Sequence, residues 1–218
     1  STDHPQVIAR KRMYGTNRWP AGVPVLPSAA HTYLNDMGVL AKNLLPIWTR
    51  SMELPDGFFD PYFTQPHFYT RLIHYPPKPE LAADETGHGA HADTSFNTFL
   101  PATEEAGLQV MDTDGTWVWP NIPADSIVVN FGQFLNRWSN GVVRATPHRV
   151  IPPVERDRFS LPFFVCPNLD AVSECLPSCH SADIPVQYEP ESFWQFHTGY
   201  MSRVYPHFEE RWEAEQPN

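Results

Sequence analysis

The chain has 218 residues, 41% of them hydrophobic and 13% aromatic, which suffices for the core of one domain and argues against global disorder. Its formal net charge is −10, with no run of Lys and Arg and no stretch of eighteen apolar residues, so neither nucleic acid nor a membrane is an expected partner. The 24 prolines, about twice the usual share, disfavour long uninterrupted helices and favour short strands joined by turns.

Residues 1–27, rich in Pro, Gly and Trp, read as extended or loop structure. Over 28–52 the residues Leu34, Met37, Leu40, Leu44 and Leu45 recur at helical spacing. A helix is predicted there, with Ser28 as N-cap and Pro46 kinking or ending its first part. From residue 68 the period changes. "FYTRLIHY", "SFNTFL", "LQVMD", "TWVWP", "SIVVNF", "HRVI" and "RFSLPFFV" are short, β-branched or aromatic, and bounded by turn residues. Asp114-Gly115 signals a hairpin between the third and fourth of these. Phe196, Tyr200, Val204, Phe208 and Trp212 form an i, i+4 stripe, read as core packing on a terminal helix bent at Pro206. The expected fold is mainly β with flanking helices around a jelly roll. A single domain is expected, with a helical or looped lead-in over 1–66, the core over 67–168 and a loop and helix over 169–218.

Cys166, Cys175 and Cys179 are an odd number, and "STDHPQVIARKRMYG" has no apolar leader. Reduced thiols and a cytoplasmic location are expected. Cys175 and Cys179 followed by His180 have the residue types for zinc, but a structural site needs four regularly spaced ligands, so free thiols are the expectation.

"GHGAHADTSFNTFL" places His91 and Asp93 two apart, on one face if the stretch is a strand. His88, three residues before His91, would then face the other way. A lone H-x-D decides nothing, since a metal needs a third ligand. His148 opens a predicted strand 55 residues after Asp93, and distant strands face one another in a jelly roll. Two imidazoles and one carboxylate are the facial triad of non-haem iron(II) oxygenases. Arg158 and Ser160 share a strand face, and a guanidinium with a hydroxyl can grip a carboxylate that is not on the metal. Tyr75 offers another hydroxyl. Phe164 continues the alternation, as pocket lining or core. Arg137 and Arg144 read as surface charges or contacts to an acidic substrate.

At these blocks the chain resembles the isopenicillin N synthase-like branch of the iron(II)/2-oxoglutarate-dependent dioxygenases. "AHADTSFNTFL", "GLQVMDTDGTWVWPNIP", "VVNFGQFLNRWSNGVVRATPHRV", "ERDRFSLPFFVCPN" and "RLIHYPPKPE" carry the resemblance, which runs from about residue 5 to 205. It implies a double-stranded β-helix. It implies iron(II) at His91, Asp93 and His148, and 2-oxoglutarate with its far carboxylate on Arg158 and Ser160, assisted by Tyr75. It implies oxidation of a small-molecule substrate by O2 (hydroxylation, desaturation or ring closure) with release of succinate and CO2. The resemblance also admits an oxidase that uses O2 without 2-oxoglutarate, and a jelly-roll binding module without activity. Gln133 stands where many relatives carry Asp, in a position read as structural. Ile73 stands where many carry Asn, which removes one polar contact. "DHPQVIARKRMYGTNRWP" resembles an interior stretch of that family, so a preceding N-terminal segment is expected.

Overall fold

The computed structural model describes residues 5–8, 13–80, 82 and 85–205. A short helix α1 (Pro5–Ile8) precedes the long helix α2 (Leu26–Ser51). Two short strands follow, β1 (Tyr69–Thr70) and β2 (Ile73–Tyr75), then β3 (His88–His91), β4 (Asn97–Pro101), β5 (Leu108–Met111), β6 (Trp117–Val118) and β7 (Ile127–Phe131). Helix α3 (Gln133–Trp138) leads to β8 (His148–Val150), β9 (Arg158–Ser160) and β10 (Phe163–Val165), and α4 (Phe193–Val204) comes last.

All strand pairs are antiparallel. One sheet has the order β1-β10-β4-β7, another β3-β8-β5-β6, and β2 and β9 form a separate two-stranded ribbon. This is the double-stranded β-helix expected for a jelly roll. No helix among the described residues is long and apolar enough to cross a membrane.

Two predicted strands are each broken in the middle. "FYTRLIHY" divides into β1 and β2, and "RFSLPFFV" into β9 and β10. The cause is Leu161-Pro162: proline has no N–H for the ladder and bends the chain there. The partner strand bends with it, since Thr70 Oγ1 (2.8 Å) and Arg71 N (3.2 Å) both donate to the Pro162 carbonyl. The same two segments thereby serve two sheets. The predicted hairpin is present: Gly115 adopts φ +82°, and the Asp112 carboxylate accepts from Asp114 N at 3.0 Å and Thr116 N at 2.8 Å.

Helix α2 departs from expectation at both ends. It starts before Ser28, whose hydroxyl donates to the Val25 carbonyl from inside the first turn. It runs through Pro46 to Ser51. Pro46 and Lys42, whose carbonyl loses its helical partner, are both exposed, so water can satisfy the freed group.

The sheet β1-β10-β4-β7 has two different faces. Phe99, Phe163, Val165 and Phe131 point outward into an aromatic core with Phe59, Phe96, Phe134 and Trp138, under α2 and α3. Their neighbours Thr98, Leu100, Asn130 and Phe164 point inward, to a cavity of about 170 Å³ between the sheets. The close approach needed at the end of β7 is made by Gly132, where an added Cβ would collide with the Ser95 backbone carbonyl. The cysteines are free. Cys166 and Cys179 are buried in the core and Cys175 is half-buried. They hold no metal-like cluster with His180 among the described residues.

Candidate active site

Strands β3 and β8 pair so that His91 faces His148 directly. Asp93 follows two residues after His91 and is buried. Its Oδ1 lies 3.6 Å from His91 Nε2 and 3.7 Å from His148 Nε2. One potential ligand atom from each residue falls within 4.8 Å of the others, and among the described residues this is the one such cluster of three.

The surrounding chain orients each group. His91 Nδ1 donates to the Gly89 carbonyl at 2.8 Å, and His148 Nδ1 to the Thr146 carbonyl at 3.1 Å. A carbonyl only accepts, so each Nδ1 carries a proton, and both Nε2 atoms are turned toward Asp93. Asn130 Nδ2 donates to Asp93 Oδ2 at 3.0 Å, which leaves Oδ1 facing the imidazoles. Gln133 clamps the segment from below: its side-chain amide donates to the Ala92 carbonyl at 2.6 Å and its N–H to the Asp93 carbonyl at 2.7 Å. The position read as structural does that work.

Burial pushes the Asp93 carboxyl up, but donation from His91, the His148 charge and hydrogen bonds from Asn130 and Thr98 outweigh it. The carboxyl is held well below the usual range and stays ionised. For His91, burial pulls the imidazole down, while Asp93 and the Gly89 carbonyl outweigh it and hold it raised. A buried carboxylate beside two imidazoles offers the donors that a cation site needs. The donor set of two nitrogens and one oxygen, with the cavity on its open side, fits iron(II).

Beside this cluster, β2 pairs with β9 so that Tyr75 faces Arg158 and Ile73 faces Ser160. Arg158 is 3% exposed. Its Nε donates to the Glu105 carbonyl at 3.2 Å, its guanidinium lies 5.2 Å over the Tyr75 ring, and its Nη1 is buried without a partner. A buried, unpartnered guanidinium nitrogen is costly unless an anion completes it. Ser160 is buried on the same cavity wall. Gly107 makes room for this arrangement, since a Cβ there would come within 2.6 Å of Arg158 Nε and 2.8 Å of its Cδ. Burial raises the Tyr75 hydroxyl pKa against the opposing charge of Arg158.

Several residues sit differently from their sequence reading. His88 lies on the cavity side with its ring centroid 4.0 Å from that of His91, and does not face away. Between His88 and His91 the register shifts, so Gly89 and Ala90 of β3 stand opposite the single residue Arg149 of β8, and this bulge converts a three-residue spacing into a same-face one. Phe164 lines the cavity and also borders the core. In the terminal stripe, Phe196 packs on the core but Tyr200 and Val204 line the cavity, while Pro206, Phe208 and Trp212 lie outside the described residues. Arg137 is taken up by the Glu189 carbonyl and Glu191, and Arg144 by the carbonyls of Met111 and Asp112. Neither lines the cavity. Sequence reasoning passed over Asn130, Arg71, Gly107 and His197. Asn130 carried a signal, as a single amide in the apolar strand "SIVVNF".

A jelly roll with a His/Asp/His cluster opening on an interior cavity defines a class of metal-dependent oxygenases. The chain belongs to the 2OG-Fe(II) oxygenase superfamily, whose family model matches residues 66–167. It is 36% identical over 194 residues to a 2-oxoglutarate-Fe(II) type oxidoreductase of Emericella nidulans, covering 86% of this chain and 56% of that protein. It is 33% identical over 193 residues to another of that description from Aspergillus fumigatus, covering 86% and 57%. A crystal structure of a 2OG-Fe(II) oxygenase family protein from Caulobacter crescentus superposes with a TM-score of 0.83 at 30% identity, covering 94% of this chain and 66% of that one. The chain thus spans little more than half the length of these curated relatives.

Proposed function

We propose that the chain is the core of an iron(II)- and 2-oxoglutarate-dependent dioxygenase acting on a small molecule. His91, Asp93 and His148 would hold the metal, and Arg158 with Ser160 the far carboxylate of 2-oxoglutarate. Iron bound there would supply activation of O2 at the expense of 2-oxoglutarate, giving succinate, CO2 and an oxidised second substrate.

The protein's own residues set the conditions for that chemistry. Asp93 supplies the one anionic ligand, and Asn130 keeps its free oxygen turned toward the histidines. The carbonyls of Gly89 and Thr146 hold the imidazole protons away from the metal side. The Arg158 guanidinium pairs with an anion at depth, and the Tyr75 ring packs against its face. Leu100, Val110, Val128 and Val150 keep water from the reacting region. Three free cysteines suit a reducing compartment, and a cytoplasmic location is part of the proposal.

The observation that carries the reading is the triad in one cavity with a buried, half-unpaired Arg158. The test is succinate release on incubation with Fe(II), ascorbate and 2-oxoglutarate, beside the metal content of Asp93→Ala. Succinate from the native chain and loss of both iron and succinate in the variant are expected. O2 consumption without succinate would favour an oxidase in which Arg158 and Ser160 hold a substrate carboxylate. Iron retained by Asp93→Ala would overturn the triad assignment.

A further inference from the structure

The cavity holds a second guanidinium that co-substrate binding leaves unused. Tyr69, Arg71, Ile73 and Tyr75 occupy alternate positions and all line the cavity, although the strand is bent between β1 and β2. Arg71 is therefore part of the inward row. Its backbone N–H is fixed by the Pro162 carbonyl at 3.2 Å, and its guanidinium lies 5.8 Å over the ring of Phe164. No carboxylate pairs with it among the described residues, and Asp93 is the one acidic side chain in the cavity wall. Arg71 keeps solvent access, so an arriving anion can reach it.

Two arguments separate this group from the co-substrate. The first is distance. Arg158 lies opposite Tyr75 on β2, whereas Arg71 stands four residues earlier, in the bend between β1 and β2. A five-carbon dicarboxylate committed at the metal and at Arg158 has no free end for Arg71. The second is charge. A divalent cation, the 2-oxoglutarate dianion, Asp93 and Arg158 cancel one another, so Arg71 is not needed to balance the co-substrate. Around Arg71 the wall is apolar and aromatic. Tyr69 and Phe164 stack at 4.6 Å, and Met201 and Val204 of α4 also line the cavity.

We propose that Arg71 binds a carboxylate of the second substrate, so that the molecule oxidised is an organic acid with an apolar or aromatic body. This rests on the dioxygenase reading of the site. Arg71 anchors the acid group at one end of the cavity, and the rings of Tyr69 and Phe164 hold the body against the inner wall. Selectivity against neutral analogues follows, because an amide leaves the guanidinium without its counter-charge.

The test is a binding measurement on the full chain with Mn(II) and saturating N-oxalylglycine, an inert isostere of 2-oxoglutarate that occupies Arg158. The probes are a panel of aromatic and alicyclic carboxylic acids, each paired with its primary amide and read by calorimetry and ligand-observed NMR. Acids should bind more tightly than their amides by about tenfold or more in the best pairs, the weight of one charge-assisted hydrogen bond. Arg71→Gln should abolish that preference while leaving N-oxalylglycine affinity unchanged, and Arg71→Lys should restore part of it. Tight N-oxalylglycine binding with no pair preferring the acid, or a preference that survives Arg71→Gln, would overturn the role of Arg71 alone. An Arg71→Gln variant that loses N-oxalylglycine instead would place Arg71 on the co-substrate and overturn it as well. Failure of the native chain to bind N-oxalylglycine would remove the dioxygenase reading and this proposal together.

Discussion

Arg158 and its seat show how strongly single atoms constrain the site. The guanidinium is buried, with one nitrogen unpartnered and another tied to the Glu105 carbonyl. Arg158→Gln should raise the apparent KM for 2-oxoglutarate by about thirtyfold or more, since losing a buried charge-assisted pair costs on the order of 2–5 kcal/mol. Iron content should not change. An unaltered 2-oxoglutarate dependence would place the co-substrate elsewhere. Gly107 gives an independent check, because a methyl group there would meet Arg158 Nε at 2.6 Å without touching the metal cluster. Gly107→Ala should shift the same KM in the same direction, with metal content intact. If the variant binds 2-oxoglutarate as the native chain does, Arg158 is not held by this contact.

Among the elements, α4 is the one whose attachment depends on buried titratable groups. His197 stacks on Phe193 at 5.3 Å, accepts or donates at 3.0 Å with Thr94 Oγ1, and approaches His67 at 6.3 Å between ring centroids. Burial pushes His67 down to about 4. Burial, with the charges of His67 and Arg71, does the same to His197, also to about 4. These folded values lie below the unfolded value of about 6.5, so the unfolded chain binds more protons between the two. Stability from the neutral pair is full above pH about 6.5 and drains away as pH falls toward 4, at about 1.4 kcal/mol per unit of difference. Melting temperatures of the metal-free chain between pH 7.5 and 4.5 should fall steeply, and less so in His67→Phe, which keeps the ring packing and removes one proton site. Parallel pH profiles for the two would show that these histidines do not govern the acid limb.

For the whole molecule, the cavity means that the space between the sheets is not a conventional packed core. The buried hydrophobic cluster lies outside the barrel, between the sheet β1-β10-β4-β7 and helices α2 and α3. Ligands at the triad and Arg158 should therefore fill a gap that the protein alone leaves open. Binding to the folded state at a hundred times Kd contributes about 2.7 kcal/mol, which for a domain of this size raises Tm by roughly 5–10 °C. Mn(II) with 2-oxoglutarate should produce a rise of that order in the native chain and none in Asp93→Ala. Equal stabilisation of both would mean that the ions bind elsewhere.

Much of this was legible in order and spacing. Short β-branched or aromatic runs bounded by turn residues marked the strands, His91 and Asp93 shared a face, and Arg158 and Ser160 stood on one wall because side chains alternate along any strand. Those are local properties, set by the geometry of a few neighbouring residues. The sequence could not show that Leu161-Pro162 bends two paired segments into different sheets, or that a bulge turns His88 toward His91. Each depends on which strand lies opposite. It likewise could not show that α2 continues through Pro46, since that requires the freed Lys42 carbonyl to face water. The meeting of His91 with His148, the amide of Asn130 on Asp93 and the packing of Arg71 over Phe164 arise between segments tens of residues apart. Only the tertiary structure decided them, because pairing register and burial are properties of the folded chain and not of any one stretch of it.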